Sequence, residues 1–250
     1  MGKNILLAGE SWVSCTTHTK GFDPFFSIDY ETGHEDLKRA LEARGHALTH
    51  LPSHLAATEF PFTMAELSRY DCVILSDIGS NTLLLPPQTF KEGKRMPNRC
   101  TLLRDWVRAG GALLMVGGYL TFSGIDGKGR WGATDVQEVL PVTLSPYDDR
   151  REHPEGIVPA VTDPAHPVLA GLPQDWPFFL GYNKAEARPE AEVLMTIGGD
   201  PFVAVGEYGR GRSAVFASDC APHWGPREFL DWEGFTPLWD NLVRWLTRAE

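Results

Sequence analysis

Four polar groups in this chain of 250 residues each stand directly after an apolar run: Glu10 with Ser11, Asp77 with Asn81, Tyr119, and Asp219 with His223. A histidine beside carboxylates can move protons, because its ordinary pKa lies near neutrality and Asp219 or Glu10 could orient the ring. Tyr119 follows Gly117-Gly118. It could donate a hydrogen bond to an oxyanion, with the backbone amides after Gly118 serving the same end. Cys15 and Cys220 each follow a strand and precede a polar cluster, and either one beside His223 would be an activated nucleophile. Plainer roles exist for all of them: carboxylates at strand ends cap helices, His223 packs on Trp224, and thiols with undepressed pKa are inert. The candidate catalytic residues are therefore His223, Tyr119 and Asp219, with Glu10, Ser11, Asp77, Asn81 and Gly118 as pocket residues and Cys220 or Cys15 as nucleophile.

These groups meet only if the runs before them are neighbouring strands. Residues 3–9, 46–51, 71–75 and 112–116 read as strands, the last an unbroken Ala-Leu-Leu-Met-Val run buried on both faces. Amphipathic helices alternate with them: one from Glu35 with Leu37, Ala40 and Leu41 inward and Gly45 as its stop, others over 64–69 and 100–109, and a closing helix over 236–247. This beat predicts an α/β fold with a doubly wound, flavodoxin-like, mostly parallel sheet, whose strand ends build the site. A capped helix is expected over 134–140. Short strands over 142–144, 157–161, 193–197, 202–205 and 212–217 predict an antiparallel extension. Residues 10–23 read as a long functional loop, in which Trp12, with Phe22, Phe25 and Phe26 nearby, forms a lid, a pocket wall or a subunit seal. The charge run from Asp148 to Glu152 reads as a solvated turn or a contact with a second subunit. No linker or repeat interrupts the chain, so residues 1–250 are expected to form a single domain.

A net charge of −10 without any basic run excludes a nucleic-acid footprint. The first apolar segment is too short to span a bilayer and lacks a cleavage site, and Leu6 stands where a myristoylation signal wants Ser or Thr. A cytoplasmic protein with no membrane partner is expected. The four cysteines form no CxxC pair, which argues against zinc and disulfides alike. His46, His50 and His54 are spaced by four, but Gly45 and Pro52 bracket them in an extended run, so no metal and no cofactor is expected.

Gly9-Glu10-Ser11-Trp12, Lys20-Gly21-Phe22-Asp23, Ser76-Asp77-Ile78-Gly79-Ser80-Asn81, Gly117-Gly118-Tyr119, Asp148-Asp149-Arg150 and Ser218-Asp219-Cys220-Ala221-Pro222-His223-Trp224 span nearly the whole chain. Together they resemble the class I glutamine amidotransferase-like family, in its group of uncharacterised members. The resemblance implies that fold, and in true members a cysteine nucleophile in the glycine elbow with His and then Glu two residues on. Here Tyr119 stands in the cysteine's slot and Gly225 in the glutamate's, so the implied triad is degenerate. Three functions follow as expectations. One is a pocket that binds, and in its fuller form hydrolyses, a small polar metabolite without a cysteine in the elbow. The second is a non-catalytic subunit or sensor that keeps the fold for assembly as a homo-oligomer. The third is a glutaminase with its cysteine relocated to Cys220 or Cys15.

Overall fold

Unbroken apolar runs make the central strands of this chain. The computed structural model describes residues 2–249; Met1, which opens the Met-Gly pair, lies outside the described residues. The first half contains strands β1 (Asn4–Gly9), β2 (Ser11–Lys20), β3 (Asp23–Thr32), β4 (Ala47–Leu51), β5 (Cys72–Ser76) and β6 (Ala112–Val116). Between them lie helices α1 (Glu35–Glu42), α2 (Ser53–Glu59), α3 (Met64–Leu67), α4 (Ser80–Leu84), α5 (Pro87–Phe90) and α6 (Arg99–Arg108). The second half is mostly strand: β7 (Val142–Leu144), β8 (Arg150–Ile157), β9 (Ala160–Val161), β10 (Phe179–Asn183) and β11 (Ala185–Ala187). Strands β12 (Glu192–Ile197), β13 (Asp200–Tyr208) and β14 (Gly211–Phe216) follow, and helices α7 (Arg227–Leu230) and α8 (Phe235–Leu246) close the chain.

The fold is mixed α/β around an eight-stranded sheet of order β4-β1-β5-β6-β14-β13-β12-β9. Its first five strands are parallel and the remaining three pair antiparallel. The predicted extension therefore holds for 193–197, 202–205 and the end of 157–161, whereas 212–217 is a parallel strand beside β6 and 142–144 pairs with β11 outside this sheet. All five residues of β5 and of β6 are buried, as strands covered on both faces must be. Helices α1 and α8 pack together, the latter turning Leu238, Trp239, Leu242 and Val243 inward. Around β14, Phe179, Phe202, Phe216 and Phe229 stack at centroid distances of 4.7–5.8 Å. Arg99 is buried at the start of α6 and donates to the carbonyls of Leu83, Ala56 and Thr82 at 2.7–2.9 Å. It ties α2, α4 and α6 into one block, with its charge compensated by dipoles and by the Phe62 ring at 4.5 Å.

Several local expectations are corrected. Residues 10–23 are not a loop: they supply β2, which pairs over its whole length with β3 in a separate antiparallel ribbon closed by Gly21 and Phe22. Alternating Val13, Cys15 and Thr17 had the period of a strand, but those side chains face solvent rather than the core. Over 134–140 the chain makes only 3₁₀ turns, capped where the Val136 amide donates to Thr134 Oγ1. The predicted strand over 157–161 is the end of β8 followed by β9, and Arg150–Glu152, read as a turn, starts β8 against β10. The three spaced histidines diverge: His46 Nε2 lies 2.9 Å from Asp240, His50 Nε2 lies 2.8 Å from the Gly9 carbonyl, and His54 meets the edge of Tyr30. Among the described residues no helix is long and apolar enough to cross a membrane.

Candidate functional site

The carboxyl ends of β1, β5, β6 and β14 deliver Glu10, Asp77, Tyr119 and Asp219 in turn, because parallel neighbours end on the same edge of the sheet. A cavity of about 430 Å³ opens there, lined by Glu10, Trp12, Asp77, Tyr119, Asp219 and His223 together with Leu120, Ile125, Ala221 and Pro222. Two of the acids sit in the left-handed region, Glu10 at φ 46° and Asp77 at φ 43°. Non-glycine residues held there store strain that the surrounding structure must sustain, and such strain gathers at functional sites. One larger depression lies elsewhere, lined by residues such as Arg130 and Pro146, but it does not join the strand ends predicted to carry chemistry, as this one does.

The acids crowd one another. Burial, followed by the charges of Asp219 and Asp77, pushes the Glu10 carboxyl well above the usual carboxylate range, even though Ser76 Oγ donates to it at 2.5 Å. Asp77 is pushed up to about 6, first by burial and then by Asp219, against the Leu120 amide that donates to its Oδ1 at 2.9 Å. Asp219 is also raised by burial, with His223 pulling the other way. Its Oδ2 lies 3.7 Å from His223 Nδ1, a contact that a small ring movement would turn into a hydrogen bond. His223 in turn meets Tyr119 edge to face at 4.4 Å.

A polar brace holds Tyr119. Its hydroxyl donates to Glu152 Oε1 at 3.1 Å, Trp224 Nε1 donates to Oε2 of the same carboxylate at 2.9 Å, and the Arg150 guanidinium covers the ring at 4.6 Å. Both Glu152 oxygens therefore accept. Glu152→Gln turns an amide NH₂ toward one of these donors, and an expected loss of about 1 kcal/mol in stability is measured by denaturant unfolding. Beneath the turn, Asn183 accepts from the Gly118 amide at 2.9 Å and donates to Asp149, which accepts from the Ser123 and Gly124 amides. Gly117 and Gly118 are needed for this closeness, since a Cβ on Gly117 would lie 2.7 Å from Asn183 Oδ1 and one on Gly118 3.1 Å from Asp77 Oδ1.

The structure thus brings Glu10, Asp77, Tyr119, Asp219 and His223 to one cavity and leaves other candidates outside it. Ser11 is buried but turned to α2, where its Oγ accepts from the Ser53 amide at 2.7 Å. Asn81 is exposed on α4 and Cys15 is exposed on the ribbon, neither of them lining the cavity. Cys220 is fully buried behind the acids, 3.7 Å from Ser76 Oγ, and burial followed by the charges of Glu10 and Asp219 pushes its thiol up, away from thiolate. The amides of this turn are also not free: those of Leu120 and Tyr119 serve Asp77 and that of Gly118 serves Asn183. Ligand atoms of Glu10, Asp219 and Cys220 lie within 4.8 Å of one another, so these are the residues whose donor types could hold a metal. Ser76, Asp149 and Arg150 carried a sequence signal only as members of the quoted motifs and Glu152 only as the end of the Asp148 to Glu152 charge run, while Asn183 escaped the sequence reading altogether.

An acid-lined cavity at the strand ends of a mostly parallel sheet, beside a Gly-Gly turn and a histidine after the last parallel strand, marks an α/β protein of the glutamine amidotransferase-like kind. The chain belongs to the family described as putative glutamine amidotransferase, whose model matches residues 4–248. It is similar to two solved structures of proteins described as cytoplasmic, from Salmonella typhimurium and Salmonella typhimurium LT2. The first is 45% identical with a TM-score of 0.94 and covers 97% of this chain and 98% of its own. The second is 42% identical, also with a TM-score of 0.94, and covers 97% and 99%. A ThuA-like protein from Parabacteroides merdae shares the fold at 14% identity and a TM-score of 0.62, covering 100% of this chain and 91% of its own. No curated protein matches the sequence.

Proposed function

We propose that this chain binds a small polar metabolite in the acid-lined cavity, one that offers hydrogen-bond donors or a positive group to Glu10, Asp77 and Asp219. The observation that carries this reading is the convergence of those acids with His223 and Tyr119 on one cavity of about 430 Å³, a size suited to a small molecule. Burial makes each carboxylate costly, and a donor-rich or cationic ligand would relieve that cost. The order β4-β1-β5-β6-β14 supports a doubly wound, flavodoxin-like sheet, and the unbroken family match supports a single domain. The description of both Salmonella relatives supports a cytoplasmic place for this chain.

Hydrolysis is the finer reading, favoured by the contact of Asp219 with His223. In it His223 takes a proton from a water whose oxygen bonds to the scissile carbon of the substrate. It returns that proton to the leaving group as its bond breaks, with Asp219 stabilising the imidazolium between the two transfers. The Leu120 and Gly118 amides are already spent on Asp77 and Asn183, so an oxyanion has no ready pair of backbone donors, and binding is the better-supported half of the proposal. A relocated nucleophile finds little support, with Cys220 held as a buried thiol and Cys15 outside the cavity. Incubation with glutamine is therefore expected to release no glutamate in a coupled assay, and release abolished by Cys220→Ser would reinstate that chemistry.

A thermal-shift screen of small polar metabolites tests the binding. A ligand at a hundred times its Kd adds about 2.7 kcal/mol of stability, a clear rise in Tm. The rise is expected in the wild type, weakened in His223→Ala, and absent from a Glu10→Gln, Asp77→Asn double variant. A broad library that shifts nothing overturns the proposal.

A further inference from the structure

The ribbon of β2 and β3 stands apart from the main sheet, and its register sorts its side chains into two unlike faces. One face carries Trp12, Ser14, Thr16, His18 and Lys20 opposite Glu31, Asp29, Ser27, Phe25 and Asp23. That face satisfies itself: Trp12 Nε1 and Ser14 Oγ both donate to Glu31, Phe25 stacks on His18 at 4.5 Å, and the Lys20 ammonium lies 5.4 Å above the Phe25 ring. Trp12, at its root, lines the cavity.

The other face carries Ser11, Val13, Cys15, Thr17 and Thr19 opposite Thr32, Tyr30, Ile28, Phe26 and Pro24. Not one of these ten residues is charged, in a chain of net charge −10. Phe26 is 74% exposed and Ile28 71%, with Val13 and Tyr30 about half exposed. The rest of the chain reaches only the root of this face, where Tyr30 meets His54 of α2 and Ser11 meets Ser53. A two-stranded ribbon has no second layer of its own and is marginal in water, so an apolar face of this length needs a cover.

We propose that two copies of this chain pack these uncharged ribbon faces together about a two-fold axis. A surface that is uncharged over both strands, with apolar Val13, Phe26, Ile28 and Tyr30 among small hydroxyl side chains, is complementary to itself, and meeting there keeps the acidic surfaces of two copies out of the contact. A basic partner would have nothing to pair with on this face, since all four acidic and basic residues of the strands point the other way. Mutual burial of Val13, Cys15, Thr17, Phe26, Ile28 and Tyr30 removes on the order of 500 Å² per copy, about 1,000 Å² in the pair, the size at which an interface becomes specific. Two flat ribbons stack as sheets do, and the two-fold contact closes at a dimer instead of growing into a fibre. The cavity stays open, because its wall is formed from the opposite face.

Light scattering on the purified full chain at micromolar concentration, combined with thiol labelling, tests this directly. Cys15 lies on the proposed interface and is the exposed cysteine, while Cys72, Cys100 and Cys220 are buried. The wild type is expected at twice the monomer mass, with Cys15 alkylated roughly tenfold more slowly than in a monomer. Phe26→Asp and Ile28→Asp are each expected to give monomers with Cys15 freely labelled, and Thr16→Asp, on the opposite face, to leave the dimer intact. All three positions are exposed, so the fold is retained and circular dichroism checks it. A monomeric wild type, or an oligomer that survives Phe26→Asp and Ile28→Asp with unchanged labelling, overturns the proposal. Neither result bears on ligand binding, which the thermal-shift screen reads separately.

Discussion

Asp77→Asn is expected to stabilise the folded chain by about 2–3 kcal/mol at neutral to mildly alkaline pH and to leave its stability unchanged at about pH 3. Burial, and after it the charge of Asp219, pushes the folded carboxyl up to about 6 from its ordinary value of 3.8. Between those values the folded chain holds a proton that the unfolded chain has released, so wild-type stability falls as pH rises through that window and then levels off. Asparagine has no such proton to lose. Its Oδ1 still accepts from the Leu120 amide, so the turn after Gly118 keeps its anchor. Removing the charge also relieves Glu10, which Asp77 pushes upward. Chemical denaturation across the pH range reads the effect as a gain that grows from pH 4 and saturates above pH 6. A gain that is flat with pH would show that Asp77 carries no such penalty. The stabilised variant is expected to bind ligand worse, as happens when a pocket keeps costly charges for recognition.

Gly9→Ala is expected to cost roughly 3–5 kcal/mol, and to spoil the site with it. Gly9 closes β1 at φ 113°, and a Cβ there would lie 1.7 Å from the Ser76 carbonyl oxygen. That oxygen belongs to the neighbouring strand and also accepts from the Glu10 amide at 2.9 Å, so neither partner can step aside without parting β1 from β5. Glu10 and Asp77 are the next residues on the two strands. Gly21→Ala at the ribbon turn is the informative contrast: no atom lies within 4 Å of its Cβ, so only the strain of φ 61° remains, about 1 kcal/mol. Denaturant midpoints of the two variants separate steric from conformational cost.

The parallel core was legible because its strands are continuous apolar runs bounded by glycines and helices of clear periodicity. Placing Glu10, Asp77, Tyr119 and Asp219 at one edge needed only the rule that parallel strands end together. Ser11 and Asn81 fall outside the cavity for a local reason: two residues after the end of β1 the chain has turned into β2, and four residues after Asp77 it is already in α4. Asn183, and the role of Glu152 at Tyr119, were beyond reach, since both enter through the pairing of β8 with β10, a contact between distant segments with no motif of its own. The ribbon was read as a loop because its first strand is mostly polar, and the apolar side chains it does carry face outward rather than toward the core.

Saturation-transfer NMR on pooled small polar metabolites, run on the wild type and on the Glu10→Gln, Asp77→Asn variant, tests the acid-lined cavity most directly. The account predicts a metabolite with hydrogen-bond donors or a positive group that receives saturation from the wild type and none from the folded variant. Equal signals from both proteins, or none from the wild type, would contradict it.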